Sequence, residues 1–429
     1  MHIILVNPFM PIDDKHTILH PPLAFGYIAS QLKANGHSVI CLDLPLEKNR
    51  WEKIDDALST LDKAIIGITC VTQTYAIALK IARYIKRKFY QFHIVLGGPH
   101  VTFTARETLE RFSYIDFVCL YEGEYTFTQL ATALEENIDT FKFKTIPGFA
   151  YRNGSSVVLN SEPEPIMELD MIGVPDRSIF DMKSYLLKDY ETVIMTSRGC
   201  PNGCSFCSAS RIGRKYRKHS IDYVANQIEQ LLDMGFKSFF FGDDTFPGDK
   251  ERTVNFCRTI LERRLNFDWT CNMRVLDVEV SLMTLMREAG MYRTFIGFET
   301  FDNSSLTQMR KGSNFNMEIN AAAILKSLDV ELHTSMIVGC ANDTRDTILN
   351  NVDFLKNIIS PTIATFNTIE LRPGTDMYMY PQKYGYAMSD PQWYEDIDCV
   401  NRIHVRTQYL SEEEIRSVCG QCYERFYSS

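Results

Sequence analysis

Twice along this chain, short runs of β-branched and aromatic residues alternate with amphipathic helical stretches, and a proline-broken segment separates the two series. Such alternation admits few folds, because strands joined through helical crossovers pair in parallel and the helices cover the faces of the resulting sheet. The first series places strands at 2–6, 37–42, 64–71, 93–96 and 117–120, with helices at 23–33, 75–88 and about 125–134. This predicts a doubly wound α/β, Rossmann-like domain over residues 1–144, with ligand-binding glycines at strand C-terminal ends. Residues 145–190 contain Asn153-Gly154-Ser155, Pro163, Pro165 and Pro175, which read as a hairpin followed by an extended linker.

The second series has strands at 192–196, 238–241, 268–273, 294–298, 332–338 and 363–370. Between them, Val224, Ile228, Leu231 and Leu232 form an apolar stripe behind Ser220 as N-cap, and Ile348, Val352 and Leu355 form another. The prediction for 191–376 is a partial, six-unit TIM-like βα barrel, whose chemistry belongs on the loops after its strands. Residues 377–429 are expected to form a helical cap, with Ser411 and Glu414 as a capping box.

A length of 429 residues exceeds what one core usually serves, and 45% hydrophobic residues suffice to fill two or three domains. The formal net charge of -9 argues against nucleic acid held by bulk electrostatics. No apolar run reaches the ~18 residues a membrane span requires, and residues 1–8 lack a basic leader, so a cytoplasmic chain is expected. In that compartment the twelve cysteines read as reduced thiols, and a tight cysteine group points to metal rather than to disulfides.

One such group follows the first strand of the second series: Cys200, Cys204 and Cys207, within Ser-Arg-Gly-Cys-Pro-Asn-Gly-Cys-Ser-Phe-Cys. Thiolates suit zinc and iron–sulfur clusters, and a structural zinc is normally closed by four protein ligands. Three close-set thiolates leave one iron open for another partner. The alternatives are zinc completed by a distant fourth ligand, or thiols that hold nothing.

The spacing Cys-x-x-x-Cys-x-aromatic-Cys, with Phe206 in the aromatic slot, resembles the cluster loop of the radical S-adenosylmethionine (radical SAM) superfamily. The resemblance implies a four-iron four-sulfur cluster whose open iron is chelated by S-adenosylmethionine (SAM). It also implies reductive cleavage of SAM to a 5′-deoxyadenosyl radical that takes hydrogen from a small-molecule substrate. An external electron donor such as flavodoxin or ferredoxin is expected; no nucleic-acid partner and no membrane span are.

Further segments carry the resemblance. Asp243 and Asp244 resemble the Asp-Asp-x-Phe segment of the cobalamin-domain branch and imply an acidic neighbour for the SAM ammonium, solvated loop carboxylates being the alternative. Glu299, in Gly-Phe-Glu-Thr, implies a contact to SAM's ribose or amino group, or else a helix N-cap interaction. Arg274 is suited to the SAM carboxylate or to a surface salt bridge. Val338, in Met-Ile-Val-Gly, resembles the adenine contact, although the usual Gly-Glu-Thr that follows is Asn342-Asp343-Thr344 here. Arg372-Pro373-Gly374-Thr375 reads better as a tight turn than as a ligand site. The run Arg211, Arg214, Lys215, Arg217, Lys218, His219 reads as a solvated face before an anion site, Cys419 and Cys422 as free thiols, and His333 as a core or substrate-facing residue. No residue is assigned to the substrate's own chemistry.

The first domain resembles the cobalamin-binding module fused to such barrels, through Pro21-Pro22-Leu23-Ala24, Ile66-Gly67-Ile68, Leu96-Gly97-Gly98-Pro99-His100 and Tyr121-Glu122-Gly123-Glu124. This implies a cobalamin tail beside Thr69, Gly97 and Gly98. The Asp-x-His-x-x-Gly that supplies histidine to cobalt is absent after the first strand, which continues Asn7-Pro8-Phe9-Met10-Pro11, and His100 reads as a loop residue. Three functions remain: a cobalamin-dependent radical SAM methyltransferase, a cobalamin-independent radical SAM dehydratase, cyclase or rearrangement enzyme, and a non-catalytic metal-binding protein.

Overall fold

The computed structural model describes residues 1–10, 19–136, 143–188 and 190–428. The chain divides into two compact units, Met1–Glu191 with Tyr394–Val400, and Thr192–Trp393 with Asn401–Ser429.

The first unit is built on a seven-stranded sheet ordered β2-β1-β3-β4-β5-β6-β7. Five strands are parallel: β1 (His2–Asn7), β2 (Ser38–Asp43), β3 (Ala64–Thr69), β4 (His93–Gly97) and β5 (Phe117–Cys119). The apolar runs of the inner strands β1, β3 and β4 are buried on both faces, as parallel strands between helices must be; Ile3, Val6, Ile65, Ile66, Ile94 and Leu96 are at most 1% exposed. The order reverses between β1 and β3, which sets the C-terminal ends of β1, β3 and β4 as the binding edge.

Helices α1 (Leu23–Ala34), α3 (Tyr75–Lys88) and α5 (Gly123–Glu135) lie where the apolar stripes predict them. Two others carry no such stripe. Helix α2 (Arg50–Leu58) buries only Ile54 and Leu58, and α4 (Pro99–Arg111) buries His100, Thr104 and Thr108 among its inward positions, so neither shows a clean apolar period. His100 is therefore in the first turn of a helix rather than in a loop.

Asn153-Gly154-Ser155 turn between β6 (Phe149–Asn153) and β7 (Ser156–Leu159), and β6 pairs antiparallel with β5, extending the sheet.

The second unit holds a six-stranded parallel sheet whose spatial order follows the chain: β8 (Thr192–Ile194), β11 (Ser238–Phe241), β12 (Asp268–Met273), β13 (Met291–Glu299), β14 (Glu331–Val338) and β15 (Ile363–Thr368). A two-stranded ribbon, β9 (Ser197–Arg198) with β10 (Arg217–Lys218), stands directly after β8. Outer helices include α6 (Ile221–Asp233), α7 (Lys250–Glu262), α8 (Val280–Glu288), α9 (Phe315–Ser327) and α10 (Arg345–Phe354). This is a half-open βα barrel with a free edge at β8 and another at β15.

The β15 edge is covered by the last helix, α11 (Glu412–Tyr427), which Ser411 and Glu414 start as the expected capping box. Residues four apart on α11 meet alternate residues of the strand. Ala364 N–H donates to the Tyr427 hydroxyl at 3.1 Å, that hydroxyl donates back to Ala364 O at 2.8 Å, and Phe366 N–H donates to the Tyr423 hydroxyl at 3.1 Å. The Cys419 thiol donates to Phe366 O at 3.4 Å. Only this end of the tail is a long helix; the expected cap is otherwise short turns and a two-residue ribbon, and 394–400 belong to the first unit. Among the described residues no helix is long and apolar enough to cross a membrane.

Candidate active site

The three cysteines occupy a loop whose neck is closed by two glycines. Arg198 pairs with Arg217 and Ser197 with Lys218 across the ribbon, and beyond it Gly199 and Gly213 touch backbone to backbone. A Cβ on Gly213 would lie 2.2 Å from Gly199 Cα, and one on Gly199, at φ +83°, would lie 2.4 Å from Lys215 O. No side chain fits there. The far side of the loop is pinned by Ser205, which is fully buried: its N–H donates to Met309 O at 2.9 Å, its hydroxyl to Gln308 O at 3.1 Å, and its carbonyl accepts from Met377 N–H at 3.1 Å.

Held this way, Cys200 and Cys204 are half-buried and Cys207 is exposed, and all twelve cysteines are free thiols. Asn202 Nδ2 donates to Cys200 Sγ and Ala209 N–H to Cys207 Sγ, each at 3.5 Å. Desolvation raises the Cys207 thiol above its ordinary pKa, and the neighbouring Cys204, Asp244 and Cys200 raise it further. A bound cationic centre reverses that penalty and draws the thiolates out. Three thiols on one loop match the protein share of a four-iron cluster, whereas a structural zinc is normally closed by four protein ligands.

The two acidic candidates divide. Asp243 is 0% exposed and its oxygens are taken: Thr196 N–H donates at 2.7 Å, the Thr196 hydroxyl at 2.6 Å and the Ser197 hydroxyl at 2.5 Å. Burial still holds its carboxyl above the usual range. This corrects its reading as a SAM contact: Asp243 ties the end of β11 to the start of the cysteine loop, and Arg252 of α7 joins it by donating to Thr196 O at 3.0 Å and His219 O at 2.9 Å. Asp243→Ala should destabilise the protein by roughly 3 kcal/mol, because three buried donors lose their acceptor, whereas Asp243→Asn should cost less, since hydroxyls can turn to suit an amide; urea unfolding midpoints measure both.

Asp244 stays open to solvent at the rim. Although exposed, its carboxyl is crowded by protein, which together with the Asp243 charge raises its pKa, and Gly199 N–H donates to it. It is the carboxylate of the pair placed to meet a cationic ligand.

Glu299 ends β13 at φ +70°, where the β13–β14 register slips. It is buried and accepts from Lys311 Nζ at 2.7 Å, so it is not an N-cap. Phe206 is half-buried against a core cluster that includes Met309 and Met377, and the Arg274 guanidinium donates to Lys311 O, so a surface salt bridge is not its main contact. Val338 is buried at the end of β14, where Asp343 accepts from Gly339 N–H at 3.1 Å and Cys340 N–H at 2.8 Å. The changed Asn342-Asp343-Thr344 segment thus holds that turn, and burial pushes the Asp343 carboxyl up to about 7. Ser205 and Asp343 lie inside the motif segments but carried no role there, and Lys311, just after the short helix Asn303–Gln308, had no motif to mark it.

The remaining candidates take structural roles. In the basic run Arg211 pairs with Asp376, Lys218 with Asp249 at 2.6 Å, and Arg217 is buried against Lys215 O and Gly213 O. Gly374, at φ +84°, turns the chain and Thr375 caps the short helix that follows. His333 is half-buried, 3.9 Å from Glu331.

In the first unit, Thr69 and Gly97 lie together at the binding edge, at the paired ends of β3 and β4. A Cβ on Gly97 would meet only Cys119 O within 4 Å, at 3.9 Å, so the position is open where Gly98 is filled. Gly98 differs, since at φ +103° its missing Cβ is occupied by Cys70 O, 2.6 Å away; it serves the chain's own packing rather than a ligand's approach. His100 is 2% exposed, packed at a tilt on Tyr75 with ring centroids 4.1 Å apart, edge-on to Tyr394 at 4.5 Å, and burial pushes its pKa down to about 3. Asn7 donates to Asp43 at 2.8 Å; Pro11 lies outside the described residues.

A family model of the B12 binding domain matches residues 15–131, and that of the radical SAM superfamily matches 194–355. The chain belongs to the radical SAM superfamily, in its cobalamin-binding branch. Cofactors of the branch are a four-iron four-sulfur cluster, SAM and cobalamin. A relative along the whole chain is the uncharacterized methyltransferase PH0819 of Pyrococcus horikoshii, 29% identical over 435 residues, spanning 100% of this chain and 92% of that protein. The anaerobic magnesium-protoporphyrin IX monomethyl ester cyclase of Rubrivivax gelatinosus is 29% identical over 369 residues, 83% of this chain but only 66% of the cyclase. The radical SAM methyltransferase TsrM from Kitasatospora setae superposes with a TM-score of 0.75 at 20% identity, over 90% of this chain and 80% of that one. The cobalamin-dependent SAM radical enzyme OxsB gives 0.81 at 19%, over 97% and 65%. At these identities the two structures show a common fold.

Proposed function

We propose that this radical SAM enzyme is a cobalamin-dependent methyltransferase acting on a small molecule. The observation that carries the proposal is the three-thiol loop, locked at the C-terminal end of the first barrel strand, in a chain whose other unit keeps an open glycine at the binding edge of a B12-type sheet. Its full-length likeness to a protein named as a methyltransferase supports methyl transfer over a rearrangement without cobalamin.

In this reading Cys200, Cys204 and Cys207 hold the cluster, Asp244 faces the SAM ammonium, Arg274 its carboxylate, Glu299 its ribose or amino group, and Val338 with Gly339 its adenine. Phe206 packs the cluster loop onto the barrel, while Thr69 and Gly97 flank the cobalamin tail. When bound, these groups supply one-electron chemistry that removes hydrogen from carbon and a methyl group to replace it. The chain's own work is to orient them and keep water out. A cytoplasmic setting, an external flavodoxin or ferredoxin as reductant, and no nucleic-acid partner complete the proposal, the last supported by the net charge of -9.

Anaerobic reconstitution with iron, sulfide and hydroxocobalamin, followed by SAM carrying a labelled methyl group and dithionite, tests it. Stoichiometric cobalamin, labelled methylcobalamin and 5′-deoxyadenosine are expected. Deoxyadenosine without retained cobalamin would overturn methyl transfer and leave the radical chemistry; zinc in place of iron and sulfide would overturn both.

A further inference from the structure

Lys311 is 9% exposed, and a lysine so buried needs a partner. It has contacts on three elements. Its Nζ donates to Glu299 Oε1 at 2.7 Å at the end of β13, and lies 5.7 Å from the centre of the Phe206 ring on the cysteine loop, within cation–π range. Its carbonyl is held by the Arg274 guanidinium, which follows β12. The carbonyls of Gln308 and Met309, in the same loop, are the ones that pin Ser205.

Two features show that this pair does more than satisfy a buried charge. Glu299 is kept in left-handed backbone, which costs a non-glycine residue about 1 kcal/mol or more and persists only where its surroundings impose it. Beside it, Glu318 of α9 is fully buried, with its Oε1 accepting from Ser313 at 3.2 Å and its Oε2 without a partner among the described residues. Burial pushes that carboxyl up to about 8, so it is neutral at pH 7 and leaves the Lys311 charge to Glu299.

We infer that Lys311 is a positioning residue for SAM: by gripping Glu299 and Phe206 at once, it holds the SAM-facing carboxylate and the cluster-bearing loop in one fixed register. This rests on the roles given above to Glu299 and the cysteine loop. Nothing in the cysteine motif requires such a cation, and the segment that carries it joins the short helix Asn303–Gln308 to α9.

The test uses the full chain, reconstituted anaerobically, with Lys311→Met and Lys311→Arg. Met keeps the length and the packing on Phe206 without the charge; Arg restores the charge. Iron and sulfide content are read first, then the SAM dissociation constant by equilibrium dialysis, then the change SAM makes in the EPR spectrum of the reduced cluster. Lys311→Met should still take up iron and sulfide, bind SAM at least about tenfold more weakly, as loss of a buried charged hydrogen bond implies, and lose the SAM-dependent spectral change. Lys311→Arg should recover most of the affinity. Unchanged SAM binding in Lys311→Met, or an Arg variant no better than Met, overturns the inference. A wild-type chain that takes up no cluster or binds no SAM overturns instead the reading beneath it. Should Lys311→Met not fold, Lys311→Gln, which keeps a hydrogen bond to Glu299, carries the same comparison.

Discussion

Replacing any one of Cys200, Cys204 and Cys207 by alanine should abolish both cluster assembly and SAM cleavage. The loss should be all-or-none, because a cubane already short of one protein thiolate has no spare anchor. The fold should survive. Cys200 and Cys204 are only half-buried and Cys207 is exposed, so none fills a core position whose loss opens a cavity. Iron and sulfide content after anaerobic reconstitution, 5′-deoxyadenosine formation and the urea midpoint together measure the outcome. Retained SAM cleavage in any single variant would contradict the assignment of that cysteine.

The second large effect should come from residues that carry no chemistry. Gly213→Ala and Gly199→Ala each drive a methyl group into backbone at the neck of the cysteine loop, at 2.2 Å and 2.4 Å, with no flexible side chain to give way. The ribbon must part or the loop must open. A cost of about 2–3 kcal/mol in stability is expected, with iron uptake falling toward that of the cysteine variants. Gly203, inside the same loop, has nothing within 4 Å of its Cβ position, and Gly203→Ala should leave the unfolding midpoint where it was. Equal behaviour of the three variants in unfolding would show that the neck does not shape the loop.

What the sequence makes legible here follows a physical line. Strands buried on both faces leave continuous apolar runs, so β1, β3 and β4 can be read directly, as can the cysteine spacing that one cofactor demands. Helix α4 is hidden because its inward face sets His100, Thr104 and Thr108 beside Val101, Ala105 and Leu109, which dilutes the apolar period. Asp243 and Asp244 look alike on paper; only the tertiary fold decides that Thr196 and Ser197 consume the first and leave the second at the rim. Lys311 has no periodic or motif signature, because its partners Glu299, Phe206 and Arg274 come from three separate strand ends. The passage of 394–400 into the first unit is equally silent in sequence: Glu395 meets Arg111 there and Tyr394 meets Tyr75 and His100, contacts that depend on distant parts of the chain.

The tyrosine ladder of α11 has a consequence for how this molecule meets others. An unsealed barrel margin invites accretion of a foreign strand, the route to fibrils and swapped dimers. Here the phenols of Tyr423 and Tyr427 act as end-stops at Ala364 and Phe366, so self-association through that margin is blocked without closing the barrel into a full ring. At this margin the fold keeps the slack of an incomplete cylinder and escapes its stickiness.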